Sequence, residues 1–158
     1  MTIEKFKIAL MFCLLSAVLF PPSAVSKSFT MKRDDGSLIH YYLDFAKTGD
    51  ASDCLLVILQ GSDCNSVRRN PSIKKLRNIY PAADLLTVEK YGITGDLAYS
   101  KDVQRPDCPA AYLSHDNPMR RAEDIENVLE YALGKYAYGK VIVVGGICCQ
   151  LIVELYWR

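Results

Sequence analysis

The sequence lacks three features that would each define a class of protein. It has no excess of charge of one sign, because 19 basic residues stand against 18 acidic ones. It has only two histidines, His40 and His115, and no cysteine spacing typical of zinc. Its long apolar run at residues 8–20 is shorter than the ~20 residues of a spanning helix. We therefore expect no nucleic-acid partner, no metal and no stable membrane span.

The N-terminal segment has the organisation of a secretory signal. Lys5 and Lys7 precede the apolar run, a Pro-Pro pair follows it, and Ala24 and Ser26 are small residues at a signal-peptidase spacing. The alternative is a membrane anchor, for which the run is short. We predict a cleaved signal at 1–26, export to the periplasm or the medium, and one domain over 27–158.

Cysteine use beyond the signal is consistent with an oxidising compartment. Cys64 and Cys108 both lie in polar loop stretches, so they are our candidate disulfide. Cys54 begins an apolar run and is typical of a small buried hydrophobe. With Cys148 and Cys149, five cysteines follow the predicted signal. Because five is odd, at least one thiol is unpaired or paired elsewhere.

Apolar runs and turn residues predict the order of secondary structure. An Asp-Gly turn at residues 33–37 joins two β-type runs, which indicates a hairpin. Unbroken apolar runs are typical of strands that are buried on both faces. We predict strands at 29–32, 38–45, 54–59, 84–88 and 140–144, helices at 72–80 and 118–134, and an irregular stretch at 94–116. This order indicates an α/β fold with a parallel sheet and helices on its faces.

Two predicted strands end in glycine-bearing loops. Gly61, Ser62 and Asp63 follow one strand, and Gly145 and Gly146 follow another, where we expect a tight turn. The carboxyl ends of parallel strands share one edge of the sheet, where ligands bind. Free N–H groups in such a loop can face an anionic oxygen.

Four features in this order resemble the first half of the α/β-hydrolase superfamily, over about residues 28–147. They are the hairpin, the loop at 59–63, the strand end at 87–90 and the glycines at 145–146. The resemblance implies a partial α/β-hydrolase-like sheet and an esterase, lipase or peptidase ancestry. It implies a small ester or amide as substrate, no cofactor, and an oxyanion loop at Gly61, Ser62 and Asp63.

The chain departs from the family at the nucleophile. The family motif is Gly-x-Ser-x-Gly, and alignment from Gly145 puts Ile147 at the serine position and Cys149 at the last glycine. An isoleucine cannot attack an acyl group. Because the family supplies its acid and histidine from later strands, we expect an inactive, truncated form with a degenerate elbow at Gly145, Gly146 and Ile147. Reading the coding DNA beyond Gly146 in all frames tests the truncation.

Two alternatives remain. Shifting the alignment by one residue puts Cys148 at the nucleophile position, but a thiolate needs a base, and neither His40 nor His115 matches the family's histidine. The other alternative is a small exported α/β binding module without catalysis.

Other polar groups have simpler interpretations. His115 with Asp116 and Asp107 is interpreted as loop capping rather than acid-base chemistry, and Ser62 as a turn residue. A basic patch is interpreted as a solvated helix face; its members are Arg68, Arg69, Lys74, Lys75 and Arg77. The apolar residues at 150–158 could begin a buried helix or be sequence that the fold never selected. They predict poor solubility unless a partner covers them.

Overall fold

The computed structural model describes residues 25–46, 52–102, 104–147 and 150–157. Six strands form one mixed sheet: β1 (Ser26–Lys32), β2 (Leu38–Asp44), β3 (Cys54–Leu59), β4 (Asp84–Val88), β5 (Lys140–Ile147) and β6 (Gln150–Trp157). The helices are α1 (Pro71–Leu76), continued by a 3₁₀ turn (Arg77–Ile79), α2 (Ala110–His115) and α3 (Pro118–Lys135). Most of the predicted signal, residues 1–24, lies outside the described residues, as do Cys148 and Cys149.

The sheet has a parallel centre and antiparallel flanks. Its order is β1-β2-β4-β3-β5-β6. Strands β4, β3 and β5 run parallel, β2 is antiparallel to β4, and β6 is antiparallel to β5. The β1–β2 hairpin turns at Gly36, whose φ of 84° suits a residue without a Cβ. The predicted α/β class with a parallel sheet is confirmed.

The sheet is buried on both faces at its centre. On one face, Leu55 and Val57 of β3 pack with Val128 and Ala132 of α3. On the other face, the alternate residues Leu56 and Ile58 join the core that includes Ile73 of α1. This double burial explains the unbroken apolar sequence of β3.

Helices α1 and α3 begin where the sequence places an asparagine before a proline. The Asn117 side chain accepts a hydrogen bond from the Arg120 N–H, and the Asn70 side chain accepts one from the Ser72 N–H. A proline at the first helical position has no N–H to leave unpaired. Among the described residues, no helix is both long enough and apolar enough to cross a membrane.

Two expectations about local structure are wrong. The stretch at 94–116 contains α2, which follows the disulfide-bonded Cys108 and is anchored by a Tyr112 hydroxyl bond to the Ser62 carbonyl. Strand β5 does not end at Gly145 but continues to Ile147 and pairs with β6. The tail is thus a strand rather than a helix, because its many β-branched and aromatic residues favour pairing with an otherwise open edge.

Candidate functional site

The candidate site lies at the carboxyl edge of the parallel strands. The loop Gln60–Asp63 follows β3, and Glu89 and Lys90 follow the neighbouring strand β4. Gly61 and Ser62 are exposed, whereas Glu89 and Lys90 are 2% and 5% exposed. Two buried charged side chains therefore lie behind an open loop, at the edge where α/β folds bind ligands.

Lys90 holds the Gln60–Asp63 loop from the buried side. Its Nζ donates to the Gly61 carbonyl at 3.0 Å, to the Asp63 carbonyl, and to the Asp63 carboxylate at 3.1 Å. An ammonium group has three N–H donors, and all three are used here. Burial lowers the pKa of Lys90, and the Asp63 carboxylate opposes that shift. Lys90 thus acts on the loop as a fixed donor.

Tyr112 fastens the middle of the same loop. Its hydroxyl donates to the Ser62 carbonyl at 2.7 Å. In a trans peptide the carbonyl and the following N–H point in opposite directions. Because Lys90 holds the Gly61 carbonyl and Tyr112 holds the Ser62 carbonyl, the N–H groups of Ser62 and Asp63 point away from those side chains. Within the described ranges, neither N–H donates a hydrogen bond.

Glu89 supports the segment that follows the loop. Its carboxylate accepts hydrogen bonds from the Ser66 hydroxyl and, at 3.0 Å, from the Val67 N–H, and Tyr42 also donates to it. Burial raises the pKa of Glu89, and these three donors oppose the shift. The carboxylate therefore ties β4, β2 and the segment after the loop together.

A disulfide and an arginine hold the exit of the loop. Cys64 and Cys108 are bonded at 2.05 Å, which is the pair favoured from the sequence. The buried Arg105 donates to the Cys64 carbonyl at 3.1 Å, to the Asn65 side chain at 3.0 Å and to the Ala98 carbonyl at 2.6 Å. The loop is consequently anchored at both ends and along its length.

Gln60 contributes a buried acceptor at the start of the loop. Its amide nitrogen donates to the Asp63 carboxylate at 2.5 Å. Its side-chain oxygen is buried and has no hydrogen-bond partner in the described part of the protein. The neighbouring cavity of about 20 Å³ has room for a single water molecule.

The end of β5 has a different geometry from the one expected. Gly145 pairs with Leu59 of β3 on one side and with Ile152 of β6 on the other, and Ile147 pairs with Gln150. Gly145, Gly146 and Ile147 therefore lie in a strand and do not form the strand-to-helix turn of a nucleophile elbow. The alternative nucleophile Cys148 lies outside the described residues.

The histidines are not placed as general bases for the loop. His40 is in β2 on the α1 side of the sheet. The His115 ring stacks on Tyr91 at 5.0 Å, and its Nδ1 lies 3.2 Å from the Ala111 carbonyl. The acids near His115 in sequence pair instead with arginines, Asp116 with Arg121 and Asp107 with Arg105. Over the described residues, no cluster of His, Cys, Asp and Glu could hold a metal.

Sequence reasoning located the loop but missed the side chains that orient it. Lys90, Glu89 and Tyr112 had no assigned role. One signal was available for the first two, since a Glu-Lys pair directly follows the apolar strand β4 at the ligand-binding edge. Tyr112 carried no such signal, because it lies 50 residues from Ser62 in the chain.

The described sheet has the antiparallel hairpin, the parallel centre and the helices on both faces that the sequence predicted. No protein-family model and no curated protein matches the sequence. Among solved structures, the chain is similar to a serine hydrolase homologue from Coxiella burnetii, with 12% identity and a TM-score of 0.49, over 75% of this chain and 50% of that one.

Two esterases are similar at the same level. A fungal esterase from Rhizomucor miehei has 16% identity and a TM-score of 0.45, over 82% of this chain and 37% of that one. The bacterial brefeldin A esterase, a homologue of human hormone-sensitive lipase, has 12% identity and a TM-score of 0.46, over 77% and 31%. These likenesses concern the fold alone, and the matched part of this chain spans 31% to 50% of the length of these proteins.

Proposed function

We propose that this protein is an exported member of the α/β-hydrolase type that binds the acyl oxygen of a small ester or amide at Gly61–Asp63 but does not hydrolyse it. One observation carries the proposal. Lys90 and Tyr112 hold the carbonyls of Gly61 and Ser62, which turns the N–H groups of Ser62 and Asp63 outwards. Two adjacent N–H donors on an open loop suit an oxygen that carries negative charge.

Prior anchoring is what makes such donors effective. Donors that are fixed before binding do not have to reorganise when charge develops on the substrate oxygen. The Cys64–Cys108 disulfide and Arg105 hold the exit of the loop, and Lys90 holds its interior. This anchoring supports the loop as a site whose N–H groups donate to a polarised carbonyl oxygen.

Loss of turnover is supported by the residues at the end of β5. Ile147 has no nucleophilic atom, and it lies in a strand that is paired with β6. Within the described residues, neither His40 nor His115 is hydrogen-bonded to a serine or a cysteine. Acyl transfer needs a nucleophile with an adjacent base, so we infer binding without catalysis.

Export is supported by the disulfide. A bond between Cys64 and Cys108 persists in an oxidising compartment and is rare where thiols are kept reduced. Together with the signal-like segment at 1–26, it favours the periplasm or the medium. Expression in a Gram-negative host, followed by N-terminal sequencing of the exported protein, tests this part. An uncleaved protein in the cytoplasmic fraction would contradict it.

The binding claim is tested by NMR titration with sodium butyrate, the carboxylate product of a simple ester. We expect the largest shifts at the amides of Ser62 and Asp63. Tyr112→Phe removes one anchor of the loop and should weaken binding roughly threefold to tenfold, the cost of one hydrogen bond. Tyr131→Phe is the matched control, since Tyr131 is exposed and its hydroxyl is bonded to Lys135 in the last turn of α3 rather than to the loop. Unchanged loop amides at saturating butyrate would refute the site.

The absence of turnover is tested with p-nitrophenyl butyrate. We expect no hydrolysis above that of a buffer without protein. Hydrolysis that is lost in Cys148→Ala and after thiol alkylation would instead establish the cysteine hydrolase. Hydrolysis that survives both treatments would show that another nucleophile is present and that the inactivity proposal is wrong.

A further inference from the structure

A second concave region lies on the α1 side of the sheet. It is a cleft of about 970 Å³ whose floor is formed by β1, β2 and β4. One wall is α1 with the residues just before it, and the other is the segment 94–96. Its volume lies in the range of sites for small organic molecules. This cleft is distinct from the loop at Gly61–Asp63, none of whose residues line it.

The floor of the cleft is mostly polar, with Tyr42 and Leu85 as its apolar members, at a place where sheet residues usually pack against a helix. Ser26 and Ser28 of β1, His40 of β2 and Thr87 of β4 all face it. The opposite face of β2 carries Ile39, Tyr41 and Leu43, which belong to the hydrophobic core. A sheet face that another element covers is normally apolar, so the polar floor fits contact with water or a polar ligand.

Cations outnumber carboxylates around the cleft. The basic side chains that line it are Arg68, Arg69, Lys74 and Arg77, and the acidic ones are Asp44 and Asp96. The whole chain has a formal net charge of only +1, so this cleft concentrates positive charge that is balanced elsewhere. Low-dielectric walls strengthen the attraction of such a cleft for an anion.

Three of the cations are guanidinium groups that are already held in place. Arg68 pairs with Asp44 at 3.0 Å and stacks on the Tyr42 ring at 4.8 Å. Arg69 donates to the Gly95 carbonyl at 3.0 Å. Arg77 donates to two carbonyls, those of Tyr80 at 2.9 Å and Pro81 at 3.2 Å. A guanidinium fixed before binding loses less entropy when it clamps an oxyanion.

Two of these guanidinium groups keep their charge largely available. Arg69 and Arg77 hydrogen-bond to neutral carbonyls, and neither forms a salt bridge with a carboxylate in the described part of the chain. Partial burial lowers the pKa of Arg77, with Asp44 and Asp84 opposing the shift, which fits a charge with incomplete compensation. An anion in the cleft would supply that compensation.

We propose that this cleft binds a small organic polyanion that carries phosphate or carboxylate groups. Arg69, Lys74 and Arg77 contact the anionic groups, and the hydroxyls and the imidazole of the floor contact the polar remainder. The basic patch, interpreted from the sequence as a solvated helix face, thus contains residues that line the cleft and one that does not. Lys74 and Arg77 line the cleft, whereas Lys75, which is exposed like Lys74, does not.

Adjacent lysines on α1 provide a matched test. Lys74→Glu and Lys75→Glu make the same change in net charge on the same helix, but only Lys74 lines the cleft. Binding of inorganic pyrophosphate and of citrate is measured by NMR titration of the full chain at physiological salt, where distant charges are screened. We expect shifts at residues 68–77 with at least one probe, and a roughly tenfold loss of affinity in Lys74→Glu.

The control should bind within about twofold of the unmodified protein, because Lys75 lies outside the cleft and its contribution is screened. Arg69→Gln, an exposed and conservative change, should also weaken binding and guards against a folding defect in Lys74→Glu. Binding of pyrophosphate but not citrate would assign the ligand to the phosphates, and binding of citrate but not pyrophosphate would assign it to the carboxylates. Equal losses in the Lys74 and Lys75 variants, or no cleft shifts with either probe, would overturn the proposal.

Discussion

The ends of β3 and β5 lie side by side on the same edge of the sheet, yet they are built differently. After β3 the chain leaves the sheet at once, and side chains from three other segments hold its carbonyls: the buried Lys90 and Arg105 and the partly exposed Tyr112. After Gly145 the chain stays in the sheet and pairs with β6. Within the described residues, the N–H groups of Ser62 and Asp63 at the first end therefore donate no hydrogen bond, whereas the backbone groups of the second end pair with β6. Only the first end has side-chain contacts that could support the proposed binding of an acyl oxygen.

Among the predicted substitutions at these two strand ends, the removal of the Lys90 ammonium group should lower the free energy of unfolding the most. Lys90→Met leaves the carbonyls of Gly61 and Asp63 and the Asp63 carboxylate without their donor. We expect a loss of about 2–4 kcal/mol in the free energy of unfolding, measured with urea. Lys101→Met, at an exposed lysine, is the control and should stay within about 0.5 kcal/mol. Equal stability of the two variants would mean that Lys90 does not support the loop.

Glu89 should give a smaller effect that depends on pH. Burial raises its pKa, so the folded state holds a proton more tightly than the unfolded state. The contribution of Glu89 to the stability of the fold is then fully present below the ordinary glutamate pKa. It is lost as the pH rises through the pKa that Glu89 has in the folded state. We expect Glu89→Gln to remove this loss, so the stability of the unmodified protein relative to the variant falls as the pH rises from 4 upwards.

Urea unfolding of both proteins at several pH values measures that difference. Other carboxylates, such as Asp35 with its pKa lowered to about 2, act in the opposite direction, but they are common to both proteins and cancel. A stability difference that stays constant with pH would show that Glu89 has the same pKa in the folded and unfolded states.

The smallest effect is expected at the end of β5. A Cβ at Gly145 would lie 3.4 Å from the Leu59 side chain, an ordinary contact, so Gly145→Ala should change the unfolding free energy by less than about 1 kcal/mol. Gly92→Ala provides the contrast, because Gly92 has a φ of 71° and its Cβ would come within 2.7 Å of Ala111. Thermal unfolding measures both, and a severe loss in Gly145→Ala would point to a strained turn there.

The two strand ends also differ in how far the sequence could predict them. The glycine after β3 correctly located a loop at the ligand-binding edge, because an apolar run that stops at Gly61 has few other interpretations. The same reasoning failed after β5, since Gly145 and Gly146 can continue a strand when a partner is available. That partner is β6, whose residues carried no clear amphipathic pattern in the sequence.

The site contacts were beyond sequence reasoning for a geometric cause. Lys90 lies 27 residues from Asp63, and Tyr112 lies 50 residues from Ser62. The sequence does not show to which carbonyl a lysine or a tyrosine will donate a hydrogen bond, since that depends on how β4 and α2 are placed against β3. Similarly, the sequence shows Lys74 and Lys75 as equivalent, and only the packing of α1 beside β2 and β4 makes one of them face the cleft.

The sequence alone determined what depends on local pattern. Apolar runs set β3, β4 and the start of β5, because burial on both faces requires continuous apolar residues, and apolar residues at helical spacing after the Asn-Pro pair set α3. The tertiary structure alone decided which way the peptides of Gly61–Asp63 point and which cations share a cleft. Those outcomes depend on side chains that the fold brings together from distant positions, and their directions are fixed only when the strands and helices have packed.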